Sequence, residues 1–173
     1  MGSKTAALPG KLQNAITERM RLSLLSGDTP FEKARLADAA AFVGALAADR
    51  TLGRSSMAIE SVSDERRLTR IAIVNDDMPF LVDSVAASIA ALGLSIDRLV
   101  HPVIPVERDK KGLLTGIPDG DPEDAYWESM IYIEAARVDA KTRRLLQDRL
   151  KETLADVRAA VVDWTKLQEA MAS

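Results

Sequence analysis

Apolar residues recur at helical spacing along the first fifty residues and predict two amphipathic helices. The first helix is expected to end at Gly27, and its apolar face consists of Leu12, Ile16, Met20 and Leu24. The second begins at Thr29-Pro30-Phe31-Glu32, which matches a capping box with proline in the first turn. Residues 1–52 are therefore predicted to form a helical hairpin, whose apolar faces must cover each other, the rest of the chain or a neighbouring chain.

Four segments further along the chain have the pattern of β-strands. Residues 57–62 alternate weakly and are expected to return as a hairpin into residues 68–74, where Ile71–Val74 is wholly apolar and so predicts a central strand. Residues 94–106 contain Pro102 and Pro105, which places that strand at a sheet edge because proline cannot donate to a ladder. Residues 127–135 alternate and predict a strand with one apolar and one mixed face.

Two further helices are predicted, each after a strand. Pro79 fits the first turn of the helix that ends at Gly93 and buries Leu81, Val85, Ile89 and Leu92. Asp76 and Asp77 precede it and are interpreted first as caps of its free N–H groups, with a ligand role as the alternative. Asp139 is expected to cap the last helix.

The order strand, strand, helix, strand, strand, helix predicts an α+β fold. We expect a ferredoxin-like antiparallel sheet over residues 56–173, with two helices on one face and the helical hairpin preceding it. The strand from Leu68 is central, the strand from Trp127 lies beside it, and the proline-bearing strand is outermost. Residues 57–62 take the opposite edge, and turn-forming residues 49–55 mark the domain boundary.

The last helix is too long for such a sheet. From Ala140 to Met171 it would span roughly 48 Å at 1.5 Å per residue, whereas a strand of typical length covers under ~20 Å. Val157, Val161 and Trp164 continue its apolar spacing. These residues predict an interface, either with a partner or within the chain itself.

Composition and motifs exclude several functions. A net charge of −3 without a basic excess argues against a nucleic-acid partner, and no apolar run reaches the ~20 residues of a membrane span, so a cytoplasmic location is expected. With no cysteine and a single histidine, His101, thiolate and multi-histidine metal sites are excluded, and Asp76, Asp77 and Asp83 lack the spacing of a calcium loop. The glycines at 112, 116 and 120 form no dinucleotide fingerprint, so no catalytic residue, metal or cofactor is predicted in this segment.

The stretch Ile73–Val85, with Leu92-Gly93-Leu94 and Val100-His101-Pro102-Val103 downstream, closely resembles the N-terminal region of the large bacterial NAD-dependent glutamate dehydrogenases. The likeness runs from about Met57 to Trp164. In that family the region is an ACT-like domain and the dehydrogenase core lies far downstream. The resemblance thus implies a piece of a longer polypeptide that uses NAD to oxidise glutamate to 2-oxoglutarate and ammonia.

ACT-like domains bind amino acids at the loop after the first core strand, and the resemblance places the ligand-binding residues at Asn75, Asp76, Asp77, Met78, Pro79, Phe80 and Asp83. Phe80 stands where the usual small-molecule pattern has glycine, which argues against close backbone approach. The resemblance implies a non-catalytic regulatory and assembly domain that contacts downstream domains and other subunits and senses an amino acid. The alternative is an interaction scaffold without a ligand.

Overall fold

The computed structural model describes residues 8–172, so the first seven residues of the predicted hairpin and Ser173 lie outside the described range. Within that range the chain forms four helices and one six-stranded sheet. In chain order the elements are α1 (Gly10–Leu22), α2 (Lys33–Ala47), β1 (Ser56–Val62), β2 (Leu68–Asp76), α3 (Leu81–Ala91), β3 (Ile96–Val100), β4 (Val103–Arg108), β5 (Leu114–Gly116), β6 (Tyr126–Ala136) and α4 (Ala140–Ala172).

The sheet is antiparallel and has the order β1-β2-β6-β4-β5, with β3 also paired to β6. The long central pair β2 and β6 is in register with Ile71 opposite Ile133, and β1 occupies the edge beyond β2. The predicted α+β, ferredoxin-like arrangement is confirmed. Its central strand, the neighbour of that strand and the β1 edge are all as expected.

The proline-bearing strand differs from the prediction in two respects. It divides at His101 and Pro102 into β3, which pairs with one half of β6, and β4, which pairs with the other half. It is also not outermost along its whole length, because the short strand β5 adds to β4 beyond it. Residues 114–116 supply that strand, and the Thr115 hydroxyl donates to the Glu107 carbonyl at 3.0 Å.

Helices cover both faces of the sheet. Ile71, Ile73, Ile131 and Ile133 face α3 and α4, which confirms the two helices predicted on one side. The alternate residues of β2 and β6 join a second core with α1 and α2. The apolar faces of α1 and α2 therefore pack against each other and against the sheet, which are two of the three alternatives that the sequence left open. The division into domains at residues 1–52 and 56–173 stays a prediction.

The start of α2 corrects a prediction. The helix begins at Lys33, no side chain caps it, and the capping box from Thr29 does not form. Arg98 on β3 donates hydrogen bonds to the carbonyls of Thr29, at 3.0 Å, and Pro30, at 3.4 Å. Its guanidinium also lies 4.0 Å from the Phe31 ring centre. These contacts hold the segment extended, so the helix starts after it. The first helix likewise ends at Leu22 rather than Gly27.

The start of α3 corrects a second prediction. The helix begins at Leu81, so Pro79 precedes it instead of lying in its first turn, and neither Asp76 nor Asp77 caps it. Phe80 occupies the cap position in the left-handed conformation, with φ 68°. The expected left-handed glycine at the other end is confirmed, since Gly93 has φ 77°.

The long last helix is confirmed. Asp139 accepts a hydrogen bond from the Thr142 N–H at 2.7 Å, which caps α4 and lowers the pKa of the Asp139 carboxyl. Its buried residues end at Val157. Val161 still packs against the same core, and beyond it the helix extends past the sheet, with Trp164 56% exposed and Met171 78% exposed.

Candidate functional site

The loop from Asn75 to Phe80 leaves the end of β2 and turns into α3. Asn75 is buried, and its side-chain amide donates to the Met78 sulfur at 3.8 Å, which holds the turn closed. Met78 itself packs against the core under α3 and α4. Pro79 and Phe80 lie at the surface, and the Phe80 side chain is 73% exposed.

Behind this loop lies a charged group that we call the arginine cluster: Arg50, Asp76, Arg108, Glu128 and Arg158. Arg50 is at its centre with no exposed side-chain surface. One of its terminal nitrogens donates to Asp76 Oδ1 at 2.8 Å and to Glu128 Oε2 at 2.7 Å. The other donates to the Arg54 carbonyl at 2.7 Å. Charged side chains survive burial only when they are paired in this way.

Glu128 forms ion pairs with two arginines at once. Arg108 reaches its carboxylate through two nitrogens, each at 2.8 Å, which is the bidentate geometry that suits guanidinium and carboxylate. A third nitrogen of Arg108 donates to the Gly112 carbonyl at 2.7 Å. Glu128 is fully buried, so these bonds fix β4, β6 and the loop around Arg50 in one arrangement.

Arg158 connects the cluster to α4. Its guanidinium donates to Asp76 Oδ2 at 2.8 Å and to the Asn75 side-chain oxygen at 2.5 Å. Asp76 is therefore bound by two guanidinium groups, one on each oxygen. The conformation of the loop and the position at which α4 leaves the sheet are linked through this one residue.

Asp77 and His101 lie together on the other side of the loop. Asp77 Oδ1 accepts a hydrogen bond from the buried Ser129 hydroxyl at 2.9 Å, and its N–H donates to the Trp127 carbonyl at 3.1 Å. The His101 Nε2 atom is buried without a hydrogen-bond partner among the described residues. Burial lowers the pKa of His101, and the Asp77 carboxylate opposes this effect more weakly.

His101 should make stability depend on pH near neutrality. Because its folded pKa lies below the unfolded value of about 6.5, the protonated form favours the unfolded chain. Stability should be full above that unfolded value and should fall as the pH drops below it. Urea unfolding from pH 7.5 to 5.5 would measure this. With no second histidine in the chain, His101→Gln should flatten the profile, and parallel profiles would contradict the assignment.

The seven residues predicted to bind a ligand differ in whether their polar groups remain available to one. Asn75 and Asp76 are engaged by Arg158 and Arg50, and Met78 is turned into the core. Asp77 keeps its second oxygen outside any hydrogen bond to the described residues, and Asp83 is exposed in the first turn of α3. No side chain caps the start of α3. A small zwitterion would find a carboxylate at Asp77 or Asp83 and free N–H groups at the helix start.

Sequence reasoning missed four members of the arginine cluster and Ser129. Glu128 and Ser129 lie in the strand predicted from residues 127–135. The mixture of apolar and polar residues on its second face indicated only weakly that helices cover this face as well. Arg158 directly follows Val157 of the apolar stripe of α4. Charged residues beside such a stripe are usually exposed to solvent, so its sequence position did not indicate an ion pair. Arg50 lies in the segment interpreted as a domain boundary, where no pattern indicated a buried cation.

The described part of the chain shows two further absences. Residues 8–172 contain no group of three or more histidine, aspartate or glutamate side chains placed to hold a metal ion. Over the same range, no helix combines the length and the apolar character that crossing a membrane requires.

Comparison with known proteins gives concordant matches. The family model described as "Glutamate dehydrogenase, ACT1 domain" matches residues 29–150. The NAD-specific glutamate dehydrogenases of Pseudomonas aeruginosa and Halomonas elongata are 36% and 33% identical over 103 residues, which is 58% of this chain. The matched region is 6% of each of those proteins, so the chain corresponds to a small part of the curated relatives. No solved structure matches the chain.

Proposed function

Because the chain belongs to the ACT1-domain family of glutamate dehydrogenases, we propose that it is a regulatory and assembly domain of a large NAD-dependent glutamate dehydrogenase. In this proposal the parent enzyme carries out the oxidative deamination of L-glutamate to 2-oxoglutarate and uses NAD as its cofactor. The domain contacts downstream domains of the same polypeptide and other subunits in the cytoplasm. The observation that carries the proposal is the family match over residues 29–150.

We assign this segment no catalytic step. The groups that most resemble catalytic equipment have structural partners: Ser129 donates to Asp77, and the two carboxylates of the arginine cluster are held by guanidinium groups. A nucleophile would need an adjacent general base, and Ser129 lies against a carboxylate rather than an imidazole that could take its proton. NAD and the reacting glutamate belong, in the proposal, to the rest of the parent enzyme.

The regulatory part of the proposal uses the loop from Asn75 to Phe80. The α-carboxylate of an amino acid would bind the uncapped N–H groups at the start of α3, and its ammonium group would pair with Asp77 or Asp83. Arg158 would transmit a change in the loop to α4, because it bonds directly to Asn75 and Asp76. The effector would thus act on the helix that projects from the domain.

Calorimetric titration with L-glutamate and then with other amino acids tests this role. We expect saturable binding that Asp77→Asn weakens at least tenfold, because the amide keeps an acceptor for Ser129 but loses the charge that holds the ammonium group. The matched control is Asp148→Asn, an exposed aspartate on α4 away from the loop. Equal binding by both variants would place the ligand elsewhere.

A scaffold without a ligand is the second candidate, and the projecting end of α4 favours it. It requires no effector and uses the exposed apolar residues at the end of that helix, Trp164 among them, to dock other domains. Of the other two predicted interface residues, Val157 is buried and Val161 packs against the core under α3 and α4. A well-folded chain that binds no amino acid in the same titration would support this candidate over the sensor.

A further inference from the structure

The projecting part of α4 carries an apolar face that nothing in the described chain covers. We call Ala160, Trp164, Leu167 and Met171 the overhang face. Their spacing of four, three and four residues places them on one side of the helix, in line with the buried Val157. Trp164, Leu167 and Met171 are 56%, 51% and 78% exposed. The helix side that packs on the sheet thus continues into solvent.

Phe80 extends this face. Together with Ser84, Asp156, Val157 and Ala160 it lines a shallow pocket of about 320 Å³ at the base of the overhang face. Phe80 also adopts a left-handed backbone conformation, which costs an aromatic residue free energy, while most of its ring remains in solvent. An exposed aromatic ring held in this way is suited to enter an interface.

Acidic residues border the face. Asp156 and Asp163 lie about two helical turns apart on the same side as Phe80, and neither forms an ion pair with a described residue. Arg158, the cation nearest to Asp156 along the helix, is held by Asp76. Lys166 follows Asp163 by three residues and forms no ion pair with it in the structure. The border nearest Phe80 therefore presents unpaired negative charge next to an apolar surface.

A second copy of this chain does not complement that border. In coiled-coil terms the flanking positions are Asp156 and Asp163 on one side of the face and Val161 and Gln168 on the other. An antiparallel pair would bring aspartate against aspartate, and a parallel pair would bring aspartate against valine or glutamine. Neither arrangement supplies a cation, and like charges across an interface disfavour association.

We propose that the overhang face and Phe80 bind an amphipathic helix that has an aliphatic stripe bordered by lysine or arginine. The aliphatic residues would cover Trp164 and Leu167 and fill the pocket beside Phe80, and the basic residues would pair with Asp156 and Asp163. This inference rests on the assembly role proposed above and specifies the chemistry of the partner.

Two synthetic helical peptides test the proposal, both with leucine at core positions and with either lysine or glutamate at all flanking positions. Titration into the 173-residue chain, followed by Trp164 fluorescence and calorimetry, should show at least tenfold tighter binding of the lysine peptide. Trp164→Ala and Phe80→Ala should each weaken that binding at least tenfold. Asp156→Asn with Asp163→Asn should reduce the preference for lysine to less than threefold. Leu145→Ala, at an exposed leucine elsewhere on α4, should change nothing.

Equal affinity for the two peptides, or lysine-peptide binding that survives Trp164→Ala in a folded chain, would overturn the proposal. So would a dimer in light scattering that Trp164→Ala dissociates, because the face would then bind a second copy. Introducing Trp164→Ala into the full-length dehydrogenase distinguishes failure of the proposed assembly role from failure of the proposed partner chemistry. Unaltered assembly would remove the assembly role together with this inference, whereas altered assembly without a preference for the lysine peptide would overturn this inference alone.

Discussion

Replacing Glu128 by alanine should lower the free energy of unfolding by about 3–5 kcal/mol, because it leaves two buried guanidinium groups without their shared carboxylate. Arg50 has no exposed side-chain surface and Arg108 is only 2% exposed, so neither can turn to water. Arg50 would keep Asp76, but Arg108 would keep only the Gly112 carbonyl among the acceptors described for it. The removed carboxylate also leaves space between β4 and β6.

Urea unfolding followed by circular dichroism measures this loss. The control is Glu60→Ala on the edge strand β1, where the carboxylate is about half exposed and 3.3 Å from Arg70, so about 0–1 kcal/mol is expected there. A loss for Glu128→Ala as small as that of the control would mean that the buried arginines are neutralised by other groups, and would contradict the described geometry.

The strands and long helices could be predicted because their signals are local. The apolar run Ile71–Val74 and the alternation from Trp127 onward reflect burial on the faces of a sheet, and each is contained within one element. The arginine cluster has no such signal. Its members come from the loop after α2, from β2, β4 and β6, and from α4, and only tertiary structure brings them together. Spacing along the chain therefore could not reveal them.

The two errors at helix starts share a physical cause. A side-chain cap contributes about 1 kcal/mol, which stronger tertiary contacts can outweigh. Arg98 binds the carbonyls of Thr29 and Pro30, and Asp76 is bound by Arg50 and Arg158, so neither segment is free to cap its helix. At the candidate site the same contacts that overturned the capping prediction also decide which carboxylates remain available, namely Asp77 and Asp83.

The turn at Gly112 supports the arginine cluster from outside. Its N–H donates to the Asp109 carbonyl at 3.0 Å, which closes a turn over residues 109–112, and its carbonyl accepts from the Arg50 N–H at 3.1 Å. With φ 92°, Gly112 is in the region that favours glycine. A Cβ atom built there would lie 2.4 Å from the Arg50 carbonyl oxygen. Because that atom belongs to the backbone, it cannot rotate away.

Replacing Gly112 by alanine should therefore cost about 2–5 kcal/mol, the sum of about 1–2 for the left-handed conformation and about 1–3 for displaced packing. Gly53→Ala is the matched control, since Gly53 has φ 82° but nothing within 4 Å of a Cβ atom. The control should show only the conformational part, so the difference between the two losses in urea measures the contact with Arg50. Equal losses would mean that the Arg50 backbone moves freely, and Arg50 would then not be the rigid centre through which the loop, the sheet and α4 are connected.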